Sequence, residues 1–280
     1  MKSEKDCIEY IHSLSRFGAK SGLDNITKIC AALGNPQDKL NFIHVAGTNG
    51  KGSVCAMLAS VLSRRCRVGP YTSPFIEVFN ERISINGENI SAPDLVKYTA
   101  AVMAACESAD VHPIEFEFIT AMGFLYFADK GCDAVVLETG LGGRLDSTNI
   151  IKNPLVTVIT AIGYDHTAIL GDTIEKIAFE KGGIIKSGAP TVIYGDMDPA
   201  ARGVIADICA QRGSKLTECA DVTDIVTSLD GTSFTLGGRR LQTSLCGAHQ
   251  AYNAALAVTA LECINRYFRR FDEHKVEMPI

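Results

Sequence analysis

The sequence predicts an α/β fold in which a mostly parallel sheet is flanked by helices and carries a small β-rich extension. Short apolar runs that fit buried strands, such as residues 40–47, 133–138 and 155–160, alternate with stretches of helical periodicity. A glycine-rich loop follows the first run and leads into a helix, which is the order of a parallel α/β unit. The chain has 280 residues, 46% of them hydrophobic, and this is enough for a large core.

The elements can be placed in order along the chain. Their apolar spacing predicts helices for residues 4–33 with a break at Gly18 and Gly22, 54–65, 93–109, 116–130, 172–181, 198–212 and 249–264. Further strands are predicted for 67–73 and 190–195, a hairpin for the Asn-Gly pair within 82–90, and short strands for 222–245. We expect one domain over residues 1–268, with 1–40 as an N-terminal helical segment and 269–280 as the start of a linker.

Composition restricts the classes of function. The net charge is −5, tryptophan is lacking and 7% of the residues are aromatic, so we expect neither a basic surface nor a base-stacking platform for nucleic acid. The charged N-terminus has no signal-peptide core, and no stretch approaches the roughly 18 apolar residues of a membrane span. We therefore expect a cytoplasmic protein with no nucleic-acid or membrane partner.

The ten cysteines show no pattern of a disulfide or metal framework. None forms a C-x-x-C pair, and no Cys/His cluster has the spacing of zinc ligands. In a reducing compartment most of them are expected to be small buried hydrophobic residues.

The strongest single motif is the segment VAGTNGKGSV. Its glycines let successive backbone N–H groups point at one anion, and the helix that follows adds its positive N-terminal end. We expect phosphate to be bound here by Thr48, Asn49, Gly50, Lys51, Gly52 and Ser53. The segment departs from the common G-x-x-x-x-G-K-[ST] pattern, because Val45 takes the place of the first glycine and Gly52 separates Lys51 from Ser53.

Polar residues follow the carboxyl ends of several predicted strands, where ligands of open parallel sheets collect. Lys51, Ser73, Glu138 and His166 are the residues in these places. An ionised Glu138 at the end of a buried strand needs either a cation or backbone partners, and both interpretations are open. Taken alone, His166 is an ordinary loop histidine and Ser73 a turn residue.

Several longer motifs resemble the folylpolyglutamate and dihydrofolate synthases, which belong to the wider group of Mur-type amide ligases. In chain order they are IHVAGTNGKGS (43–53), YTSPFIEVFNERI (71–83), EFEFITAMGF (115–124), LETGLGGRLDSTN (137–149), IGYDHTAILGDTIEKIAFEKGGIIK (162–186) and HQAYNAALA (249–257). The resemblance spans roughly residues 10–265 and implies the P-loop NTPase-like fold of a Mur ligase central domain.

The resemblance also implies a reaction. ATP phosphorylates a substrate carboxylate, and the amine of L-glutamate then displaces phosphate to give an amide. The carboxylate belongs to dihydropteroate or to the glutamyl tail of a reduced folate, and the sequence does not separate these two activities. A monomer is the default state of the family.

The family's site residues can be transferred to matching positions. They imply that Ser73, Glu138 and His166 bind Mg²⁺, and that Lys181 is carbamylated and bridges a second Mg²⁺, so that Lys51, His166 and Lys181 serve catalysis. Gly182 departs from the family's E-K-A-G pattern, and bare sequence would make Lys181 a solvated residue at a helix end.

Two further sets of residues follow from the same resemblance. Asn253, near His249, matches the helix that contacts adenine, with helix capping as the alternative. The pterin-side candidates are Lys20, Ser21, Gly22, Phe116, Glu117, Leu145, Asp146 and Ser147. Phe116 would stack on the pterin or benzoate ring, and a core aromatic is the equal alternative.

Family members continue with a C-terminal domain that carries a W-P-G-R-type arginine and a D-G-A-H-N-P segment, and neither is found in this sequence. We expect that this domain is absent or separately encoded. A nucleotide-binding fragment or pseudoenzyme is therefore one alternative to a complete ligase. A Mur-type cell-wall ligase is another, although the motifs at 71–83 and 137–149 favour the folate branch.

Overall fold

The computed structural model of the protein describes residues 3–15 and 22–268. Its helices are α1 (Glu4–Ser13), α2 (Asp24–Ala32), α3 (Lys51–Leu62), α4 (Ala92–Ser108), α5 (Glu115–Asp129), α6 (Thr167–Leu170), α7 (Ile174–Gly182), α8 (Pro199–Arg212) and α9 (Ala248–Phe268). Its strands are β1 (Phe42–Ala46), β2 (Val68–Tyr71), β3 (Ser84–Ile85), β4 (Glu88–Asn89), β5 (Ala134–Glu138), β6 (Val156–Ile159), β7 (Thr191–Ile193), β8 (Leu216–Glu218), β9 (Val222–Ser228), β10 (Gly231–Leu236) and β11 (Arg239–Thr243). Short 3₁₀ turns cover Pro36–Lys39, Phe79–Arg82 and Ser147–Ile150.

A six-stranded parallel sheet organises the chain, with the strand order β2-β5-β1-β6-β7-β8. Every residue of β1, β5 and β6 is buried, which explains why these strands appear in the sequence as continuous apolar runs. In the register, Val45 lies opposite Glu138 and Ala46 opposite Ile159. The three strands therefore end together at one edge of the sheet.

Helices cover both faces of this sheet and bury its side chains. On one face, α1, α2, α4 and α5 share a core that includes Phe42 and Phe127. On the other face, α3 and α9 pack over Ile43 and Val136, and a smaller cluster joins α7 to α8. The predicted α/β class is confirmed. Among the described residues, none of the helices combines the length and the apolar character that a membrane span needs.

The β-rich extension is a three-stranded antiparallel sheet in the order β11-β10-β9. Phe234, Leu236 and Leu241 of this sheet are buried in the same core as α9, so the extension is attached through that helix. The predicted hairpin is formed by β3 and β4, with Asn86 and Gly87 both at positive φ between them. An Asn-Gly pair adopts this backbone readily in a tight hairpin turn.

Some elements differ from the sequence prediction. Helix α3 begins at Lys51 rather than at residue 54, because the loop closes early and its last residues form the first helical turn. Strand β8 was not predicted, since its three residues are half-buried at the sheet edge and show no apolar run. The short helix α6 was also not predicted, and α9 extends four residues beyond 264.

Some predicted features lie outside the described residues. They are the break at Gly18, the candidates Lys20 and Ser21, and the linker at 269–280. The domain bounds 1–268 therefore stay a prediction. All ten cysteines are described, all are free, and seven are buried, in line with the expectation from sequence.

A buried polar chain attaches the loop after β5 to the central strand. His44 of β1 is fully buried, and its Nε2 lies 2.9 Å from Thr148 Oγ1. The Thr148 hydroxyl donates to Asp146 Oδ1 at 2.5 Å, so its proton is not available to His44. His44 must therefore carry its proton on Nε2 and donate to Thr148. Its Nδ1 is buried without a hydrogen-bond partner among the described residues.

This environment keeps His44 neutral. Burial, reinforced by the charge of Lys186, lowers the pKa of His44 from 6.5 to about 3. Above pH 6.5 this histidine is neutral in the folded and the unfolded state, so its ionisation does not change the free energy of unfolding. Stability is lost as the pH falls below that value, because the unfolded chain then binds the extra proton.

We predict that His44→Gln flattens the acid side of the stability profile. Glutamine keeps an N–H donor for Thr148 and does not titrate. From pH 6.5 down to about pH 4, the free energy of unfolding of the wild type should fall relative to that of the variant by about 1.4 kcal/mol per pH unit. Urea unfolding at a series of pH values measures this difference. His112→Gln, at an exposed position, is the control and should follow the wild type. Parallel profiles for wild type and His44→Gln would contradict the assignment.

Candidate active site

The glycine-rich loop lies between β1 and α3 at the edge where the central strands end. Gly47 has a φ of 151° and Gly50 a φ of 88°, both in the region that favours glycine. A Cβ at Gly47 would overlap Thr160, and a Cβ at Gly50 would overlap the Asn253 amide. The loop therefore requires glycine at both positions, for backbone conformation and for space.

The loop is held by the segment that follows β6. The Thr48 N–H donates to the carbonyl of Ala161 at 2.7 Å. The Thr48 hydroxyl donates to the Gly163 carbonyl and accepts from the Gly163 N–H, both at 3.1 Å. Thr48 thus anchors the glycine-rich loop to the segment after β6.

Two lysines converge on one backbone carbonyl. Lys51 Nζ donates to the carbonyls of Gly47 at 3.1 Å and Thr48 at 3.2 Å, and Lys181 Nζ donates to that of Gly47 at 2.8 Å. Lys181 lies in the last turn of α7 and is only 3% exposed, so its interpretation as a solvated lysine is wrong. Burial, followed by the charge of Lys51, lowers the pKa of Lys181 to about 8. The pair makes this edge strongly attractive to an anion.

Glu138 brings a buried negative charge to the same edge. It ends β5, is 3% exposed, and accepts the N–H of Ser73 at 3.3 Å. Burial raises its pKa to about 7, and the charge of Lys51 opposes this rise. A Cβ at Gly52 would lie 3.8 Å from Glu138 Oε2, so the carboxylate faces the first turn of α3. A buried carboxylate with one backbone donor is well suited to a hard cation such as Mg²⁺.

The structure gathers only part of the predicted metal set. Ser73, which precedes a cis peptide bond, and Lys181 lie near Glu138 and the loop. His166 is half-exposed, adopts a φ of 48° at the start of α6, and has its Nε2 3.6 Å from Asp165 Oδ1. Within the described ranges no three His, Cys, Asp or Glu side chains form a group that could hold a metal. The metal roles therefore stay predictions.

A cavity of about 250 Å³ adjoins the loop on the side of α9. It is lined by Asn49, Gly50, Ala161, Tyr194, Asp196, His249, Tyr252 and Asn253. Asn253 is 3% exposed. Its side-chain Nδ2 donates to Gln250 Oε1, whereas a capping side chain would accept a backbone N–H at the start of the helix. The capping interpretation of Asn253 is therefore wrong, while its position supports a role in the cavity.

The pterin-side candidates fall into two environments. Phe116 packs edge-on against Tyr71 with ring centroids 6.0 Å apart, and lies so close to Gly140 that a Cβ there would be 2.6 Å from its ring. Glu117 is buried. Its carboxylate accepts the backbone N–H of Ile114 at 2.9 Å and the side-chain N–H of Asn25 at 3.4 Å. The Glu117 carboxylate thus caps the start of α5.

The loop after β5 holds three further candidates, Leu145, Asp146 and Ser147. Leu145 is 40% exposed, whereas Asp146 and Ser147 are buried. Asp146 accepts the N–H groups of Leu141 at 2.8 Å and Thr148 at 3.0 Å, and burial raises its pKa. Asp146 therefore shapes the loop, and Leu145 presents an apolar side chain at its surface. Gly22, with a φ of 64°, precedes α2.

Some polar residues at this edge were not singled out from the sequence. Tyr194 follows β7, and Gln250 lies one turn before Asn253 on α9. Asp165 neighbours His166, and its charge acts on Lys181. Tyr194 could have been found by the rule that located Ser73, because it also follows the carboxyl end of a strand.

Comparison with known proteins agrees with this geometry. The model of the Mur ligase middle domain family matches residues 45–261. A dihydrofolate synthase/folylpolyglutamate synthase of Bacillus subtilis is 42% identical over 276 residues, which is 94% of this chain and 64% of that protein. A folylpolyglutamate synthase of Lacticaseibacillus casei is 46% identical over 75% of this chain and 50% of its own length. The chain thus spans about half to two thirds of these relatives.

Solved structures show the same relationship. A complex of FPGS with AMPPCP and folate matches with a TM-score of 0.89 and 38% identity, covering 98% of this chain and 69% of that one. A Mycobacterium tuberculosis folylpolyglutamate synthase complexed with ADP and AMPPCP matches with a TM-score of 0.81 and 32% identity, covering 98% and 67%. The chain therefore belongs to the Mur ligase family, as a Mur ligase middle domain of the folylpolyglutamate and dihydrofolate synthase group.

Proposed function

We propose that this chain is the ATP-binding part of a ligase that joins L-glutamate to dihydropteroate or to the glutamyl tail of a reduced folate. The observation that carries the proposal is the convergence of Lys51, Lys181 and Glu138 on a rigid glycine loop. The named relatives are folate ligases, and two solved neighbours hold nucleotide analogues, one together with folate. This favours the folate branch over a cell-wall ligase.

The proposed reaction has two steps. A carboxylate oxygen of the substrate attacks the γ-phosphorus of ATP, and ADP leaves. The glutamate amine then attacks the acyl carbon, phosphate leaves, and the amine loses a proton. In the first step two anions approach each other, so cations must reduce their repulsion. Lys51 supplies a fixed positive charge, and the loop N–H groups together with the start of α3 supply aligned dipoles.

Magnesium is the expected partner of the buried carboxylate. Glu138 would hold one Mg²⁺, with Ser73 and His166 as further candidate ligands. A carbamate on Lys181 would supply anionic oxygens for a second ion. When bound, Mg²⁺ neutralises phosphate oxygens and stabilises the charge that develops in transfer. These roles rest on the resemblance and on the burial of both side chains.

The acceptor substrate would lie on the side of Phe116. We propose that this ring stacks on the pterin or benzoate group, with Leu145 as an apolar wall and Asp146 and Ser147 shaping the loop. Lys20, Ser21 and Gly22 are proposed to approach the same substrate, and Glu117 would act by capping α5. A monomer in the cytoplasm stays the expected state of the chain.

The proposed function is tested by ADP release from the 280-residue chain with Mg-ATP. Release should require both a pterin substrate, either dihydropteroate or a reduced folate, and L-glutamate. Lys51→Met should lower kcat/KM by about 10²-fold or more, because the charge at the phosphates is lost. Lys28→Met, at an exposed position, is the control and should match the wild type.

Release of ADP that requires neither the pterin substrate nor glutamate would contradict this proposal, and so would a folded chain that does not bind Mg-ATP. A folded chain that binds Mg-ATP and releases no ADP would keep the ATP-binding role and would show that these 280 residues do not complete the reaction alone.

We also predict that Lys181 forms a carbamate. Its neutral amine attacks CO₂, forming a C–N bond and releasing one proton to solvent. Because the pKa of Lys181 is lowered to about 8, the reactive neutral amine becomes more abundant as the pH rises through that value. NMR with isotope-labelled bicarbonate and Mg²⁺ should show one carbamate signal that grows over this range.

A matched lysine sharpens this measurement. Burial also lowers the pKa of Lys186 to about 8, but its Nζ donates to the Asn149 carbonyl, away from the phosphate loop. Lys186→Met should keep the carbamate signal and Lys181→Met should abolish it. A signal that survives Lys181→Met, or none in the wild type, would rule out the carbamate.

A further inference from the structure

The amide of Asn253 is held at both ends by neighbouring side chains. The Tyr194 hydroxyl donates to Asn253 Oδ1, and Asn253 Nδ2 donates to Gln250 Oε1 at 2.9 Å. Asn253 is 3% exposed, so water does not replace these partners. The two hydrogen bonds fix which end of the amide is the acceptor and which is the donor.

The direction of the first hydrogen bond follows from the chemistry of its two atoms. Asn253 Oδ1 is a carbonyl oxygen and can only accept, so the Tyr194 hydroxyl is the donor. Burial raises the pKa of Tyr194, so the hydroxyl keeps the proton that it donates.

The fixed amide keeps hydrogen-bonding capacity for a ligand. Asn253 Oδ1 has a second lone pair and Nδ2 a second hydrogen, and the residue lines the 250 Å³ cavity beside the phosphate loop. Adenine offers a complementary edge, with its 6-amino donor next to the N7 acceptor. Guanine offers two acceptors, O6 and N7, at the same edge, so its O6 would face Asn253 Oδ1 without a proton between them.

The same chain of hydrogen bonds reaches the phosphate loop. Gln250 Nε2 donates to Ser53 Oγ at 3.3 Å, and Ser53 lies in the first turn of α3. At the other end of the same amide, Gln250 Oε1 accepts from Asn253 Nδ2. The cavity for the base and the loop for the phosphates are therefore aligned by side chains that lie one helical turn apart on α9.

We propose that Tyr194 is the residue that sets base selectivity, because its hydroxyl holds the Asn253 amide in the one orientation that suits a 6-aminopurine nucleotide. Tyr194 acts through Asn253 and is thus a positioning residue. The inference rests on the proposed function, in which the cavity beside the loop takes the nucleotide base. It adds a residue and a physical reason for discrimination between adenine and guanine nucleotides.

The test compares the affinities of the full chain for Mg-ATP and Mg-GTP by titration calorimetry. The wild type should prefer ATP by about tenfold or more, the range of one bidentate base contact. Tyr194→Phe keeps the ring but lets the amide flip, so this preference should fall several-fold, chiefly through weaker ATP binding. Tyr126→Phe is the matched control, since Tyr126 is a buried tyrosine of α5 that does not line this cavity. It should keep the wild-type ratio.

A second variant tests the same amide from its other end. Gln250→Leu removes the acceptor of Asn253 Nδ2 and should also lower the ratio of ATP affinity to GTP affinity. The unfolding temperature of each variant shows whether it is folded. The inference would be overturned if both Tyr194→Phe and Gln250→Leu kept the wild-type ratio of ATP affinity to GTP affinity. It would also be overturned if these variants bound ATP and GTP more weakly by the same factor. Equal wild-type affinities for the two nucleotides would overturn it and leave phosphate binding in place. A wild type that binds neither nucleotide would overturn the proposed function together with this inference.

Discussion

The parallel register of β1 between β5 and β6 is the constraint on which the rest of the site depends. With Val45 opposite Glu138 and Ala46 opposite Ile159, the central strands end in one row, and each chain segment leaves the sheet at the same edge. The glycine-rich loop, the buried carboxylate of Glu138 and the segment that anchors the loop are therefore neighbours. Residues far apart in sequence meet there because parallel strands need long crossovers, which here are the helices that cover both faces.

Two ionisable side chains are buried at this edge, although protein interiors usually exclude such groups. Lys181 and Glu138 are both 3% exposed. Burial lowers the pKa of Lys181 and raises that of Glu138, and both shifts favour the neutral form of the side chain. The charge of Lys51 lowers both pKa values, which favours the charged form of Glu138 and the neutral form of Lys181. Such a cluster is costly for folding, and groups with pKa values shifted in this way are typical of functional sites. A bound polyanion would pair with the charges of Lys51 and Lys181, and a cation would pair with the carboxylate of Glu138.

Rigidity of the site comes from buried hydrogen bonds rather than from apolar packing alone. Thr48 attaches the loop to the segment after β6, and Thr148 links Asp146 to His44 on the central strand. Gln250 joins Ser53 to the amide of Asn253. Each link crosses between two elements, so the glycine-rich loop, the loop after β5 and the cavity beside α9 are held in fixed positions on one sheet. Preorganised donors of this kind need little rearrangement when charge develops.

The sequence by itself determined the α/β class, the glycine-rich loop, the Asn-Gly hairpin and the family. These depend on local signals, namely apolar periodicity, glycine spacing and the order of motifs. Only the tertiary structure decided that Lys181 is buried against Gly47, since the two residues are 134 positions apart. It also decided that Glu117 caps α5, and that Tyr194 meets Asn253. Burial and hydrogen-bond direction depend on which elements the fold brings together, and no local pattern in the sequence encodes that juxtaposition.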